Sequence, residues 1–551
     1  MADLYDKHQD TLHKALATIE SRSYWSPYPE RPKAYGDEAP GEGEQAFQAR
    51  LGKPFEIDQP HDGYQAVDET SPYGIDIGIQ YPKSTVSELV EAAVAGTADW
   101  GRSSPETRAG VLIEILDQLA AASFEMGHAV MAITGQTFIM GFQAGGPHAL
   151  DRALEAIAYT YREQTRLPEP LTWEKPQGSR DPLRIDKQWV VRPRGVAVTI
   201  GVSTFPTWNG YPGIFASLAA GNPVIVKPHP ATILPLAIMV EAARRVLREA
   251  GFDPNLVTLL TDTAGAPVAK DLVMHPAVAI VDYTGGPGFG TWLEENVHHA
   301  LVFTEKAGVN SVILDSADDL GPVFGNLSVS MSMYSGQMCT TPQNLYVPRQ
   351  GVTVGGEVVP FDDVAAGFAK AVGGLLGDDE RAAGLLGAIK SEQILARVAE
   401  ASEAGDVLLE SREIDHPSFP GATVRSPVVV KVDAADRDIY MREMFGPVIY
   451  VVATDSTDES LSLAEESARD MGALTWLVYT TDEAVMDTAI EHAVDGGVSI
   501  AFNLTGGLFV NQSAAFSDFH VTGHNPAGNA SLTDPAFVAG RFKVIGVRRE
   551  V

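Results

Sequence analysis

Apolar positions along this chain follow two rhythms, and the points where one gives way to the other divide it. Residues 4–21 read as a polar, partly amphipathic helix. Residues 22–65 carry Pro27, Pro29, Pro32, Pro40, Gly41 and Gly43, which predicts an irregular surface arm. From 84 to 165 the apolar residues recur with helical spacing. Thr85-Val86-Ser87-Glu88 has the order of a capping box, and Ser103-Ser104-Pro105-Glu106 that of a capped start with proline in the first turn. Between 190 and 320 the rhythm becomes strand, loop and helix. Gly195–Ile200, Pro223–Lys227 and Val278–Tyr283 are short apolar runs, separated by helical stretches at 211–220 and 233–250. Alternating strands and helices predict βαβ units and a mostly parallel sheet. Residues 311–315 and 425–453 suggest strands of a second α/β unit, and 542–547 a strand-like tail.

Composition narrows the function classes. The chain has 551 residues, 45% of them hydrophobic, and a formal charge of −32. That balance weighs against nucleic acid and anionic membranes as partners, because no excess of Lys and Arg exists to neutralise phosphates. No apolar run reaches membrane-spanning length, and the polar start lacks the apolar core of a secretory signal. One cysteine excludes an intramolecular disulfide and fits a reducing compartment, so the expectation is a cytoplasmic protein. His275, His298 and His299 show no metal-ligand spacing with that cysteine.

Cys339 lies in Ser335-Gly336-Gln337-Met338-Cys339-Thr340-Thr341, among small or uncharged residues. Such a segment suits a turn whose backbone amides face the sulfur and favour the thiolate; a buried small hydrophobe is the other reading. Thr284-Gly285-Gly286-Pro287-Gly288-Phe289-Gly290 follows a strand and precedes a helix, so it is either a phosphate cradle or a tight turn. Asn209, beyond the first strand, is an oxyanion donor or an Asx turn. Glu305 is a general base or an exposed carboxylate beside Lys306. Glu443 and Phe445 share a face if extended, or are a surface carboxylate near a packed ring.

Their order along the chain carries more than any one of them. Trp208-Asn209, Lys227-Pro228, the glycine turn, Glu305, Cys339 and Glu443-x-Phe445-Gly446-Pro447 together resemble the aldehyde dehydrogenase superfamily from about residue 75 to 510. Within it, the Pro/Gly-rich arm, Lys227-Pro228-His229-Pro230 and Thr304-Glu305-Lys306-Ala307-Gly308 look like the PaaN-type enzymes of phenylacetic acid degradation. The resemblance implies a Rossmann-like cofactor domain at 71–305, interrupted by an oligomerisation arm near 165–195. It further implies an α/β catalytic domain at 306–510 and an oligomerisation tail at 511–551, after an N-terminal helix and arm at 1–70. It implies that Cys339 attacks an aldehyde, that Asn209 and the Cys339 amide hold the oxyanion, and that Glu305 activates the hydrolytic water. On the cofactor side it assigns Lys227 and Glu443 to the two riboses, Phe445, Phe205 and Trp208 nearby, and Gly285 and Gly286 to the pyrophosphate.

Four departures shape the remaining expectations. Pro230 stands where relatives often carry a ribose-binding glutamate, which predicts NADP over NAD, with His229 placed to approach a 2′-phosphate. Lys306 and Ala307 replace smaller neighbours of the base, so Lys306 is expected to weaken Glu305 and Ala307 to limit the loop's swing. Gly286 removes a hydroxyl from the turn. The 506–529 stretch lacks the family's usual C-terminal signature, so no substrate contact transfers there. The substrate implied is a ring-opened, coenzyme A-linked semialdehyde. Coenzyme A acylation and a catalytically inactive cofactor-binding protein are the alternatives, and a homodimer or homotetramer is the expected assembly.

Overall fold

The computed structural model describes residues 2–306, 308–511, 515–518 and 525–551. Two largely parallel sheets, each flanked by helices, form an α/β fold. The first has five parallel strands in the spatial order Val257–Leu259, Val224–Lys227, Val196–Ile200, Val278–Gly285 and Leu301–Lys306. Every residue of Val196–Ile200 and Val224–Lys227 is buried, as central parallel strands covered on both faces must be. Neither strand shows the in-out alternation of a half-exposed sheet. The second sheet has seven strands centred on Asn310–Leu314 and Pro342–Pro348; only its edge strand Asp406–Leu409 runs antiparallel. The Asn310–Leu314, Val428–Asp433 and Val448–Thr454 strands correspond to the runs at 311–315 and 425–453 that suggested a second α/β unit, whereas Thr475–Tyr479 was not among the expected strands.

Both expected helix starts form. The Thr85 hydroxyl accepts from the Glu88 amide while the Glu88 carboxylate accepts from the Thr85 amide, closing a capping box on Val86–Trp100. Ser104 caps Pro105–Ala121, with proline at the first helical position. The helix expected at 211–220 begins earlier, at Pro206, because a proline costs nothing where the amide has no partner anyway.

The arm at 22–65 differs from the expectation. It holds a 3₁₀ turn, Pro32–Tyr35, and a three-turn helix, Ala39–Arg50. Pro40 lies in the first turn, where it starts a helix instead of breaking one. Gly43 is there for close approach: a Cβ at that position would overlap Phe124 on the neighbouring helix. The helix buries Phe47, and Arg50 pairs with Glu125 at 2.5 Å and Glu241 at 2.8 Å.

The segment near 165–195 folds as Leu171–Gln177 and Arg180–Pro193. With the tail strand Phe542–Glu550 they make a three-stranded antiparallel sheet that projects from the body. Leu171, Trp173, Leu183, Val544, Ile545 and Val547 are exposed on it. The tail is anchored at its root: Arg541, fully buried, makes a two-pronged ion pair with Asp282 at 2.7 and 2.5 Å, between the rings of Phe303 and Phe537. No helix among the described residues is long and apolar enough to cross a membrane.

Candidate active site

Cys339 follows a turn that backbone geometry makes costly. Tyr334 and Ser335 both sit at φ +52° and Gly336 at +66°, three successive residues in the left-handed region. Non-glycine residues persist there only where surrounding contacts hold them. The contacts are present: the Tyr334 hydroxyl donates to the Thr134 carbonyl at 2.6 Å, and Ser335 to the Gly387 carbonyl at 3.1 Å. Asn310, at the start of its strand, donates to the Cys339 carbonyl at 2.7 Å while its own oxygen accepts from the amides of Leu474 and Thr475. The seven-stranded sheet thus fixes the cysteine's main chain.

The sulfur is partly open to a cavity of about 380 Å³. Its walls are mostly apolar: Ile139, Met140, Phe205, Trp208, Met338 and Phe509. Phe205 and Trp208 therefore line the cysteine's cavity. Gly507, Phe509 and Asn511 reach the wall from the C-terminal stretch that carried no recognisable signature. The only charged groups among the described lining residues are Glu30, from the N-terminal arm, and His148, paired at 3.0 Å.

The thiolate-favouring environment expected at Cys339 is not what the structure has. Burial pushes the thiol well above its ordinary range and the Glu305 carboxylate adds to the rise; Arg152 and the cysteine's own amide pull the other way, and Glu443 raises it further. Glu305 is buried at the end of the Leu301–Lys306 strand and accepts from the Asn209 amide at 2.7 Å. Asn209 lies in the first turn of Pro206–Ala219, which removes the Asx-turn reading, and one of its two side-chain N–H groups is given to Glu305. Lys306 does not engage Glu305 as expected. Neighbours in a strand point to opposite faces, and Lys306 pairs with Glu294 at 2.8 Å. The swing of the loop at Ala307 lies outside the described residues, as do residues 512–514 and 519–524 of the C-terminal stretch.

On the cofactor side, Lys227 ends its strand buried against Asp262, 2.6 Å away. Sequence reasoning missed Asp262, which the fold brings over from the loop beyond Val257–Leu259; nothing local marks it. His229 is exposed, and its Nδ1 accepts from the Ala231 amide at 3.2 Å. Gly286 caps Pro287–Asn296 with open space where a side chain would be, and the same holds at Gly288. Gly285 has no such room: a Cβ there would overlap the Tyr283 hydroxyl. Glu443 has no hydrogen-bond partner among the described residues, and burial pushes its carboxyl up to about 7. It borders a small cavity with Phe445, Gly336 and Met338, against the cysteine's own loop. A partnerless carboxyl, an open helix start and a buried lysine fit a ligand bearing hydroxyls and phosphates. No group of three or more His, Cys, Asp or Glu arranged to hold a metal occurs among the described residues.

Arg152, on Pro147–Thr165, is the other residue that sequence reasoning missed. Its guanidinium stacks 3.7 Å from the Trp208 ring centroid and borders a chamber of about 30 Å³ with Asn209 and Glu305. Its place within an amphipathic helix gave no cue.

The chain is similar to known proteins over most of its length. The profile of the aldehyde dehydrogenase family matches residues 64–512. The fold superposes with a TM-score of 0.97 on the crystal structure of an NAD-dependent aldehyde dehydrogenase from Burkholderia multivorans, 53% identical, covering 100% of this chain and 99% of that one. Among curated proteins, a 3,6-anhydro-alpha-L-galactose dehydrogenase of Streptomyces coelicolor is 28% identical, over 72% of this chain and 77% of its own. A 2-aminomuconic semialdehyde dehydrogenase of Bos taurus is 25% identical, over 72% and 78%. The chain belongs to the aldehyde dehydrogenase family and is an NAD(P)-dependent enzyme.

Proposed function

We propose that this protein oxidises a free aldehyde with an apolar body to its carboxylic acid through a thioester on Cys339. The observation that carries the reading is one cysteine, just after a strained and braced turn, open to an apolar cavity and within the field of Glu305, which accepts from Asn209. Cys339 gives its proton to solvent in the cavity, and its sulfur bonds to the carbonyl carbon. The carbonyl oxygen takes the electron pair, facing Asn209 and the Cys339 amide. A nicotinamide cofactor held by Lys227, Gly286 and Glu443 would supply the hydride acceptor for that carbon. Glu305 then takes a proton from water as the oxygen attacks the thioester, and the Cys339 sulfur leaves. Asn209 gives one of its two side-chain N–H groups to Glu305, which leaves the second to serve the oxyanion.

Lys227, Gly286 and Glu443 would hold the cofactor. Pro230 argues for NADP. The Lys227–Asp262 pair argues for NAD, since Asp262 neutralises the lysine and adds a negative charge beside the ribose position. The Burkholderia multivorans neighbour is titled NAD-dependent. We take NAD as the preferred cofactor, and a higher kcat/KM with NADP would reverse that choice.

The coenzyme A-linked semialdehyde of the PaaN-type resemblance has less support, because no Lys or Arg lines the described cavity to meet coenzyme A phosphates. Glu305 beside the cysteine favours hydrolysis over coenzyme A acylation. The exposed apolar arm sheet supports a homodimer or homotetramer, which light scattering would test. Cofactor reduction followed by absorbance, with NAD and NADP and a panel of aldehydes, tests the reading in wild type and Cys339→Ala. Turnover that disappears in the variant supports it; turnover that persists, or that requires free coenzyme A, overturns it.

A further inference from the structure

Arg152 makes no hydrogen bond and no ion pair among the described residues, and its Nε is buried without a partner. A guanidinium carries five donors and stays charged, so leaving it unmatched in a partly buried place is costly. It is nonetheless held firmly: its plane lies on Trp208, whose ring lines the cysteine's cavity, and its other side borders the chamber of Asn209 and Glu305. A charge fixed in that position with its donors unspent suits a negative charge that arises only during reaction.

We propose that Arg152 is a positioning residue whose fixed positive charge, seated on Trp208, stabilises the Cys339 thiolate against the Glu305 carboxylate. The proposal rests on the nucleophile reading of Cys339. Among the described residues, the charged and titratable groups that act on the sulfur include Glu305, Arg152 and Glu443, and His148 and Glu30 line the same cavity. Those facing Arg152 are Glu305, Glu155 and Cys339. Two carboxyls near a buried thiol oppose ionisation, and among the described residues Arg152 is the cation that acts on it.

The test is the pH profile of Cys339 alkylation by iodoacetamide in the full-length protein without cofactor, for wild type, Arg152→Lys and Arg152→Met. As the chain has a single cysteine, labelling reports that site alone. The midpoint is expected to move up in Arg152→Met, with alkylation at pH 8 slowed about tenfold, and to be largely restored in Arg152→Lys. An unchanged midpoint in Arg152→Met overturns the proposal, as does an equal shift in both variants, which would mean lost packing on Trp208. If Arg152→Met does not fold, Arg152→Gln is judged by the same two outcomes. Should Cys339→Ala retain turnover, the nucleophile reading itself fails. Should Cys339→Ala be inactive while the Arg152 profiles coincide, only the present inference fails.

Discussion

Two chambers serve the candidate site, one opening on Cys339 and one holding Asn209 and Glu305, and their walls differ. The larger, about 380 Å³, is walled mostly by apolar and aromatic side chains, and its lining comes from six parts of the chain, including the N-terminal arm and the C-terminal stretch. The smaller, about 30 Å³, is lined by Arg152, Asn209 and Glu305 and by the ends of parallel strands. Trp208 divides them, facing the cysteine on one side and carrying Arg152 on the other. The difference separates two tasks. Shape and apolar area select the aldehyde, while a few fixed charges and dipoles act on the atoms that change. Substitutions in the small chamber should alter kcat for every substrate, and those in the large one should reorder substrates.

The strongest break is Cys339→Ala. Turnover should fall by roughly 10⁴-fold or more for all aldehydes, because the covalent route is gone. Next is Asn209→Ala, expected to lower kcat by about 10²–10³ with a smaller change in KM, as loss of an oxyanion donor does; steady-state kinetics over the aldehyde panel would check it. Equal losses in kcat and binding would move Asn209 to the substrate-binding side of the comparison. Met140→Trp sharpens the contrast from the other chamber. Long aldehydes should lose about tenfold in kcat/KM, within the range for one methylene's misfit, while the shortest should be little affected.

The smallest effect concerns the arm. Glu30 accepts from His148, and that bond, with the histidine's charge, holds its carboxyl below the usual range against burial. A depressed folded pKa contributes stability above the unfolded value, ~4.3, that is lost as pH falls through the folded value. Limited proteolysis within residues 22–35 should therefore accelerate below about pH 4, and Glu30→Gln should show this acceleration at neutral pH. Cleavage independent of pH would remove Glu30 from the account of arm docking.

What the sequence disclosed follows from range. Val196–Ile200 and Val224–Lys227 were legible because burial on both faces leaves an uninterrupted apolar run. The Val86–Trp100 start was legible because a capping box spans only four residues. Cys339, Asn209 and Glu305 were singled out through the order of motifs; the structure bonds Asn209 to Glu305 and sets Glu305 within the field of Cys339. The Ala39–Arg50 helix was hidden because Gly43 serves a neighbour 81 residues away, Phe124, and reads locally as a breaker. Asp262 and Arg152 were hidden for a related reason: each acts on a partner that only the folded chain brings near, across 35 residues to Lys227 and 153 to Glu305.

The tail strand has a consequence for how the molecule is made. Phe542–Glu550 pairs with residues translated about 350 positions earlier, and Arg541 locks into the first sheet beside it. The Leu171–Glu174 edge can meet Arg180–Pro193 early in synthesis, but the opposite edge of that hairpin waits, unpaired and with apolar residues exposed, until almost the whole chain has left the ribosome. During that interval the hairpin is the part of the nascent protein most open to wrong partners, and a chaperone that shields strand edges would matter most there.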